Sequence, residues 1–413
     1  MNFLKSLEEN VLSEGREWTR LRLETQAQAE ADRRGAVCPE SGCLLKYRRT
    51  QTLTLITCVG KITLHAQRGY SQALRRQVYP LREFWGLLPK QRISPQLESK
   101  LVYTASATGL YNKAASVADC WGTSISDDTV HAVVQRVGRR ANAVLLPPFP
   151  AMTTKEFSLV IMMDGWMVRR RGPDWAAGPR KKAAERVEWK EVKSAVIYRL
   201  ETRSQNASGR GLLVEKHVVA TPPETSPLDF GATVHAAARR CGLAQAKKVY
   251  VVIDGAVWLW NLARDRFSKA DLLLDFHHAS EYLWAIAHLL HGQGTPEART
   301  WAEGLLHQLR HGKEQQVIQT LEELLQPAAS LSENTRESVS GPVEYIRTHR
   351  DHLHYQRNAR KGAPVGSGSV ESLCSQLQNR FKRTGQFWSP DGLCHLLRLD
   401  VLVRNKELHY LWN

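Results

Sequence analysis

Two aspartates each close a short apolar run and are each followed by glycine: Met162-Met163-Asp164-Gly165 and Val252-Ile253-Asp254-Gly255. The runs at 157–163 and 249–253 are apolar, rich in β-formers and bounded by turn residues, the pattern of strands buried in the middle of a sheet. Each carboxylate is therefore predicted where its strand emerges, on a rigid support beside an open crevice. Hard oxygen donors on neighbouring strands suit divalent cations, and ions held that way serve phosphoryl transfer by activating the attacking oxygen and stabilising the leaving one. A third acid stands far downstream in Gly366-Ser367-Gly368-Ser369-Val370-Glu371-Ser372, where glycines and serines open a helix with Glu371 in its first turn. Beyond it Val370, Leu373, Cys374, Leu377 and Phe381 recur as a buried helical face, and Glu371, Ser375, Gln378 and Lys382 form a polar row. Singly, each acid has a plain structural explanation, since Asp-Gly is common turn chemistry and a first-turn glutamate complements the helix dipole. Together and in this order, Asp164, Asp254 and Glu371 are expected to be the catalytic and metal-binding set, holding two Mg²⁺ or Mn²⁺ ions.

With these blocks the chain resembles the bacterial insertion-sequence transposases of the Asp-Asp-Glu class, in particular the ISKra type, related to the Mutator-like group. The most specific stretch is 362–372 followed by Arg380-Phe381-Lys382-Arg383-Thr384-Gly385-Gln386-Phe387-Trp388, which looks like that family's third catalytic block; Asp164-Gly165 and Asp254-Gly255-Ala256-Val257-Trp258 look like the first two. The resemblance runs from about residue 36 to the end. It implies an α/β fold, a ribonuclease H-like mixed sheet flanked by helices, with an all-α insertion before the glutamate. It further implies metal-dependent cleavage at transposon ends and transfer of the freed 3′-hydroxyl into target DNA. Double-stranded DNA, as terminal inverted repeats and as target, is the implied partner, with a homo-oligomer synapsing two ends. Asp275 and His278 look like the Asp-x-x-His motif of Mutator-like relatives, which implies a part in handling the transposon-end strand; the alternative is that the His277-His278 pair hydrogen-bonds locally.

Composition points the same way. With 57 Lys+Arg against 41 Asp+Glu, a net charge of +16 and a pI near 9.6, the chain is suited to approach a polyanion. Its 413 residues and 42% hydrophobic content allow two or three domains with their own cores. No apolar stretch is long enough to span a bilayer, and residues 1–6 lead into a charged helix, so a cytoplasmic, nucleoid-associated protein without membrane contact is expected. Seven scattered cysteines argue against a disulfide framework.

Along the chain, residues 1–35 read as an exposed helix. Residues 36–80 hold Cys38-Pro39-Glu40-Ser41-Gly42-Cys43 and a Thr/Ile/Val-rich hairpin split at Gly60. That is half a zinc ribbon, with Cys38 and Cys43 as its candidate ligands; the second Cys pair that tetrahedral zinc requires is absent, so zinc is not expected. Residues 90–145 read as helical, with a helix-turn-helix pattern in 112–130: Gly122 permits the turn, Ser126 caps the second helix, and Val130, Val133, Val134 and Val137 give it an apolar face. The element is read either as a groove-binding helix or as a helical hairpin packed on its neighbours, because Asp127 and Asp128 at its start repel phosphate.

The catalytic core is predicted in two parts, 155–278 and 361–413, around an all-helical insertion at 279–360. Strands are expected at 157–163, 192–200, 212–219, 249–253 and 272–276, and a helix at 229–241. Residues 168–182 read as a basic loop whose Arg169, Arg170, Arg171, Arg180, Lys181 and Lys182, with Trp166 and Trp175 interleaved, form the main candidate DNA contact. Arg380, Lys382 and Arg383 are expected to hold the backbone near the scissile phosphate, and Trp388 to stack on an unpaired base. His349, His352 and His354 are read as packing or backbone-bonding residues and not as a metal trio. Two rival functions share the fold: a catalytically silent DNA-binding derivative, which the intact acid set disfavours, and a structure-specific nuclease, which the large insertion disfavours.

Overall fold

Alternating apolar residues at 53–66 pair into a hairpin, and longer apolar runs downstream build a second, larger sheet. The computed structural model describes residues 3–144, 146, 156–176, 186–205, 211–326 and 331–412. The chain forms two compact units, Met1–Val144 with Lys406–Asn413, and Leu145–Asn405.

The first unit opens with α1 (Phe3–Arg34), followed by β1 (Lys46–Thr57), β2 (Gly60–Ser71), β3 (Arg76–Val78), α2 (Pro80–Phe84), α3 (Pro95–Thr108), α4 (Tyr111–Cys120) and α5 (Asp127–Asn142). β1 and β2 are the predicted antiparallel hairpin, turning at Gly60 with φ +113°, and β3 pairs with the far end of β2. α1 lies on β2: Ala27 and Ala31 bury against Leu53, Leu55, Ile62 and Leu64. Its Glu24 and Gln28 side chains accept the Thr63 and His65 N–H groups, which satisfies a strand edge left open where β3 stops. The segments expected as separate, 1–35, 36–80 and 90–145, are thus one unit. α3, α4 and α5 pack on one another, with Ser126 accepting the Thr129 N–H as the cap of α5 and with Val130, Val133, Val134 and Val137 buried. The chain's last residues join them: Leu408 and Leu411 bury, and the Trp412 indole donates to Glu98, so residues from 406 onward depart from the predicted 361–413 block.

Cys38 and Cys43 do not act as a pair. Cys38 is fully buried beside Ala36, Leu45 and Val78, whereas Cys43 is exposed. Ser41 stands three residues after Cys38, where a ribbon's Cys-x-x-Cys spacing puts a second thiol. Burial pushes the Cys38 thiol up, but hydrogen bonds from Ser41, the Glu40 and Ser41 backbone and Ser71 outweigh it and hold the thiol below the usual range.

The second unit contains β4 (Ser158–Arg171), β5 (Val187–Arg199), the short hairpin of β6 (Arg203–Gln205) and β7 (Gly211–Leu213), then β8 (His217–Thr221), α6 (Pro227–Arg240), β9 (Lys248–Ile253), α7 (Val257–Arg266) and β10 (Asp271–Leu274). Next come α8 (Phe276–His291), α9 (Pro296–Arg310), α10 (Glu314–Leu324), α11 (Glu333–Thr348), α12 (Tyr355–Arg360), α13 (Gly368–Phe381) and α14 (Pro390–Arg404). Five strands form a mixed sheet in the order β10-β9-β4-β5-β8. β4, β5 and β8 are an antiparallel meander, and β9 and β10 run parallel to β4 on its other side. Successive side chains point to opposite faces of a strand. On β5, Ser194 meets α13 while Lys193 meets Trp258 of α7, so helices cover both faces. Sheet and helices together are compatible with the predicted mixed α/β core. Between β10 and α13 the described residues are helical, as expected for the insertion.

Four strand boundaries differ from expectation; β4 and β5 are both longer than predicted because their polar residues pair through the backbone. β4 does not stop at Met163 but runs on through Gly165, Trp166 and the three arginines to Arg171, paired with β5 down to Arg171↔Val187. The third predicted strand divides into β7 and β8. The fifth ends at Leu274, because Asp275 turns out of the sheet to cap α8.

Candidate active site

The register of the parallel strands aligns the candidate acids. Met163 pairs with Ile253, and Ile253 with Leu274, so the residues that follow them, Asp164, Asp254 and Asp275, lie abreast on three adjacent strands about 4.8 Å apart, Asp254 and Asp275 just past the ends of β9 and β10 and Asp164 where β4 runs on beyond them. Asp164 and Asp254 are half-buried. Gly165 N–H donates to Asp164 Oδ1 at 2.7 Å, Ala256 N–H to Asp254 Oδ1 at 2.9 Å, and the Trp260 indole to the Asp254 carbonyl at 2.8 Å. Desolvation, reinforced by the nearby Asp254 charge, holds the Asp164 carboxyl above the usual carboxylate range.

Why glycine follows each aspartate is now a matter of space. A Cβ on Gly255 would lie 2.0 Å from the Tyr345 hydroxyl, because α11 of the helical insertion lays that ring over the turn. Tyr345 in turn stacks on Tyr282 of α8, ring centroids 3.6 Å apart. A Cβ on Gly165 would meet only the flexible end of Glu191. Gly255→Ala is therefore expected to destabilise the protein by about 1–3 kcal/mol through overpacking. Gly165→Ala should cost less. Denaturant titration checks both, and Tyr345→Ala in the Gly255→Ala background should cost less than the sum of the two single changes.

α13 crosses the sheet over β4 and β5 and buries Val370, Leu373, Cys374, Leu377 and Phe381, the predicted face. Cys374 shares a hydrogen bond with Asp164; burial first, and then the Asp164 charge, raise its thiol far above the usual range. Glu371 lies one helical turn before Cys374, so it is on the same face of the sheet as Asp164. Its carboxylate accepts the Ser367 hydroxyl. With Glu371 turned to Ser367, no group of three or more His, Cys, Asp or Glu among the described residues stands close enough to hold a metal ion.

Asp275 occupies the third strand end but has a different task. It is fully buried, its Oδ1 accepts the Ser367 N–H at 2.8 Å, and its Oδ2 accepts the His278 N–H at 3.3 Å as the N-cap of α8. Phe276 N–H adds a bond to the Val365 carbonyl. The Asp-x-x-His spacing is thus capping geometry, in which an N-cap carboxylate takes the backbone N–H three residues on. Through Ser367 the same carboxylate fixes the loop that launches the Glu371 helix. Nothing in the sequence marked this second bond, since the partner is 92 residues away.

The basic residues divide. Arg169, Arg170 and Arg171 are on strand β4, not on a loop. Arg169 donates to the Lys382 and Arg383 carbonyls, and Arg171 to the Phe387 carbonyl at 3.0 Å, stitching the strand to the segment after α13. Arg170 pairs with Glu188 and Glu224, which neutralises it as a phosphate ligand. Arg380 is only 6% exposed with its guanidinium against Phe381, which removes it from a surface rail. Lys382 reaches over the Trp189 ring, and Arg383 is exposed. Trp388 bridges Arg170 and donates its indole N–H to the Phe381 carbonyl at 2.7 Å, while Trp166 is buried and bonded to Ser194. Burial keeps the Trp166 ring from taking a base, while Trp388 stays half-exposed. Lys181, Lys182 and Arg180 lie outside the described residues. His349, His352 and His354 each set a ring nitrogen against a backbone carbonyl, and His354 also bonds Asp271, as local packing residues do.

No family model matches the chain, and no curated protein matches it. Among solved structures, the Drosophila P element transposase strand transfer complex is similar over 75% of this chain and 92% of that one, at 12% identity and a TM-score of 0.36. Among the described residues no helix is long and apolar enough to cross a membrane.

Proposed function

We propose that the chain is a transposase of the Asp-Asp-Glu class, of the ISKra type that its sequence resembles, cutting DNA at transposon ends and joining the freed 3′-hydroxyl to target DNA. The observation that carries this reading is the alignment of Asp164 and Asp254 side by side on adjacent strands, with the Glu371 helix bonded to Asp164 through Cys374. The core is then read as ribonuclease H-like.

The donor set fits divalent cations: two carboxylates side by side, one held above its ordinary pKa by desolvation and by the other's charge, are relieved by a cation between them. Asp164 and Asp254 would hold Mg²⁺ or Mn²⁺, and Glu371 would join them by turning away from Ser367. Two such ions supply activation of the attacking oxygen and stabilisation of the leaving oxygen. The protein's own groups do the rest. Gly165 and Ala256 N–H groups orient the two carboxylates, Cys374 donates to Asp164 and favours its ionised form, and Asp275 anchors the Glu371 loop. Arg171, Lys382 and Arg383, exposed or half-exposed beside the C-terminal end of α13, would hold the DNA backbone within a chain of net charge +16.

Incubation of the purified chain with Mg²⁺ and labelled DNA bearing the element's terminal repeats should give strand-transfer products. Cleavage without joining would favour a nuclease, and neither would favour a silent DNA-binding derivative. A thermodynamic signature accompanies the site. Because the folded state raises the Asp164 pKa, ionised Asp164 costs stability above that raised value, and the cost vanishes as pH falls and the group protonates in both states. Asp164→Asn is therefore expected to be more stable than the parent at neutral pH in EDTA, by about 1 kcal/mol as for other strained sites, with the gain lost in acid. Thermal unfolding across pH reads it.

A further inference from the structure

In the second unit the hairpin of β6 and β7, the end of β5 and the start of α13 enclose a cavity of about 600 Å³. Its floor is Met162 and Tyr198, which are 1% and 4% exposed. Leu212 and Leu213 form one wall, and Ser369 and Ser372, one turn apart on α13, form another, with the Ser369 hydroxyl bonded to Tyr198. Two cations, Arg203 and Lys216, stand at the exposed rim. Arg203 donates to the Gly362 carbonyl at 3.2 Å, and among the described residues neither cation is paired with a carboxylate. No Asp or Glu is among the described residues that line the space. Elsewhere in the unit cations are neutralised, Arg170 by Glu188 and Glu224 and Arg404 by Asp400. Lys216 has no such relief: burial, and after it the nearby Arg404 charge, hold its ammonium below the usual lysine range. A bound anion would offset both effects.

We infer that this cavity binds a small phosphate monoester with a carbon-rich body, of the size of a mononucleotide. Two cations and three hydroxyls suit a doubly charged, acceptor-rich phosphate, while the leucine wall and the Met162 floor suit an apolar or flat body. The volume falls within the roughly 300–1,000 Å³ usual for small-ligand sites. A bare inorganic anion would leave the apolar walls unfilled, and an uncharged ligand would leave the cations unmet. Neither Asp164 nor Asp254 lines the cavity, so the inference rests on neither the acids nor a metal.

The test is calorimetric titration of the whole protein with AMP, in EDTA and without DNA. A Kd of about 10–100 µM is expected for a ligand of this size. Adenosine and inorganic phosphate should each bind at least about tenfold more weakly, since each carries only part of the matching chemistry. Arg203→Met and Lys216→Met should each weaken AMP about tenfold or more, with an unchanged thermal transition because both side chains stand at the rim. Lys382→Met, beside the far end of α13, should leave the AMP affinity within about twofold, which separates this cavity from the DNA contacts proposed above. A 5′-phosphorylated oligonucleotide that displaces AMP would identify a strand end as the source of the phosphate, and one that does not would identify a free nucleotide; both keep the site. AMP that binds no better than adenosine, an affinity untouched by either rim variant, or an equal loss in Lys382→Met would each overturn the proposal.

Discussion

Asp254→Asn is expected to leave a folded, DNA-binding protein whose strand cleavage and joining fall by at least about 10³-fold, roughly 4 kcal/mol of transition-state stabilisation. The asparagine oxygen can still accept the Ala256 N–H, and the Trp260 bond goes to the main chain, so the turn survives and only the charge is lost. Removing that charge also lowers the Asp164 pKa, since Asp254 is one of the groups that raise it. The measurement is product formation on labelled ends alongside a gel-shift titration. A variant that joined at the parent rate would take Asp254 out of the site, and with it the two-metal reading.

Asp275→Ala is expected to have the largest structural effect. It deletes the cap of α8, worth about 1 kcal/mol, and strands the buried Ser367 N–H, worth about 1–3 kcal/mol, for a total of roughly 2–4 kcal/mol. Activity should fall as well, because the loop that aims Glu371 is no longer tied to the sheet. Asp275→Asn separates this role from direct metal binding. It keeps one acceptor for Ser367 and should retain most of the activity at a smaller stability cost, whereas at a metal ligand the same change is as severe as Asp254→Asn. Parallel measurement of unfolding free energy and cleavage rate decides between them.

What could be read in the sequence followed apolar periodicity. The strands bearing Asp164 and Asp254 and the buried face of the Glu371 helix were all legible, because burial writes a regular pattern of side chains. Polar strand is invisible to that signal. Residues 164–171 look like a loop by composition, yet they extend β4, because β5 offers a matching run of backbone groups down to Val187 and charged side chains tolerate the half-exposed end of a hairpin. The break between β7 and β8 falls at Val214-Glu215-Lys216, where a charged pair separates two apolar stretches that were read as one strand. Long-range polar contacts left no trace: Asp275 with Ser367, Tyr345 on Gly255 and Arg169 on the Lys382 carbonyl each join residues far apart in the chain. The Asp-Gly pairs were visible but their cause was not, since it is the Tyr345 ring, supplied by the insertion, that makes the second glycine necessary. The basic cluster was overcounted because charge in a sequence does not reveal which arginines are spent on carbonyls and carboxylates.

The placement of α13 and α14 has a consequence for how the molecule comes into being. These last two helices roof one face of a sheet whose five strands are all complete by Leu274, so a ribosome must add more than a hundred further residues before that face is shielded from water. A nascent chain therefore carries Asp164 and Asp254 through more than a hundred further residues of synthesis before Glu371 is made, and products of premature termination in that interval should leave the face uncovered and lack the third acid. The three candidate acids are together only after the closing stretch of translation.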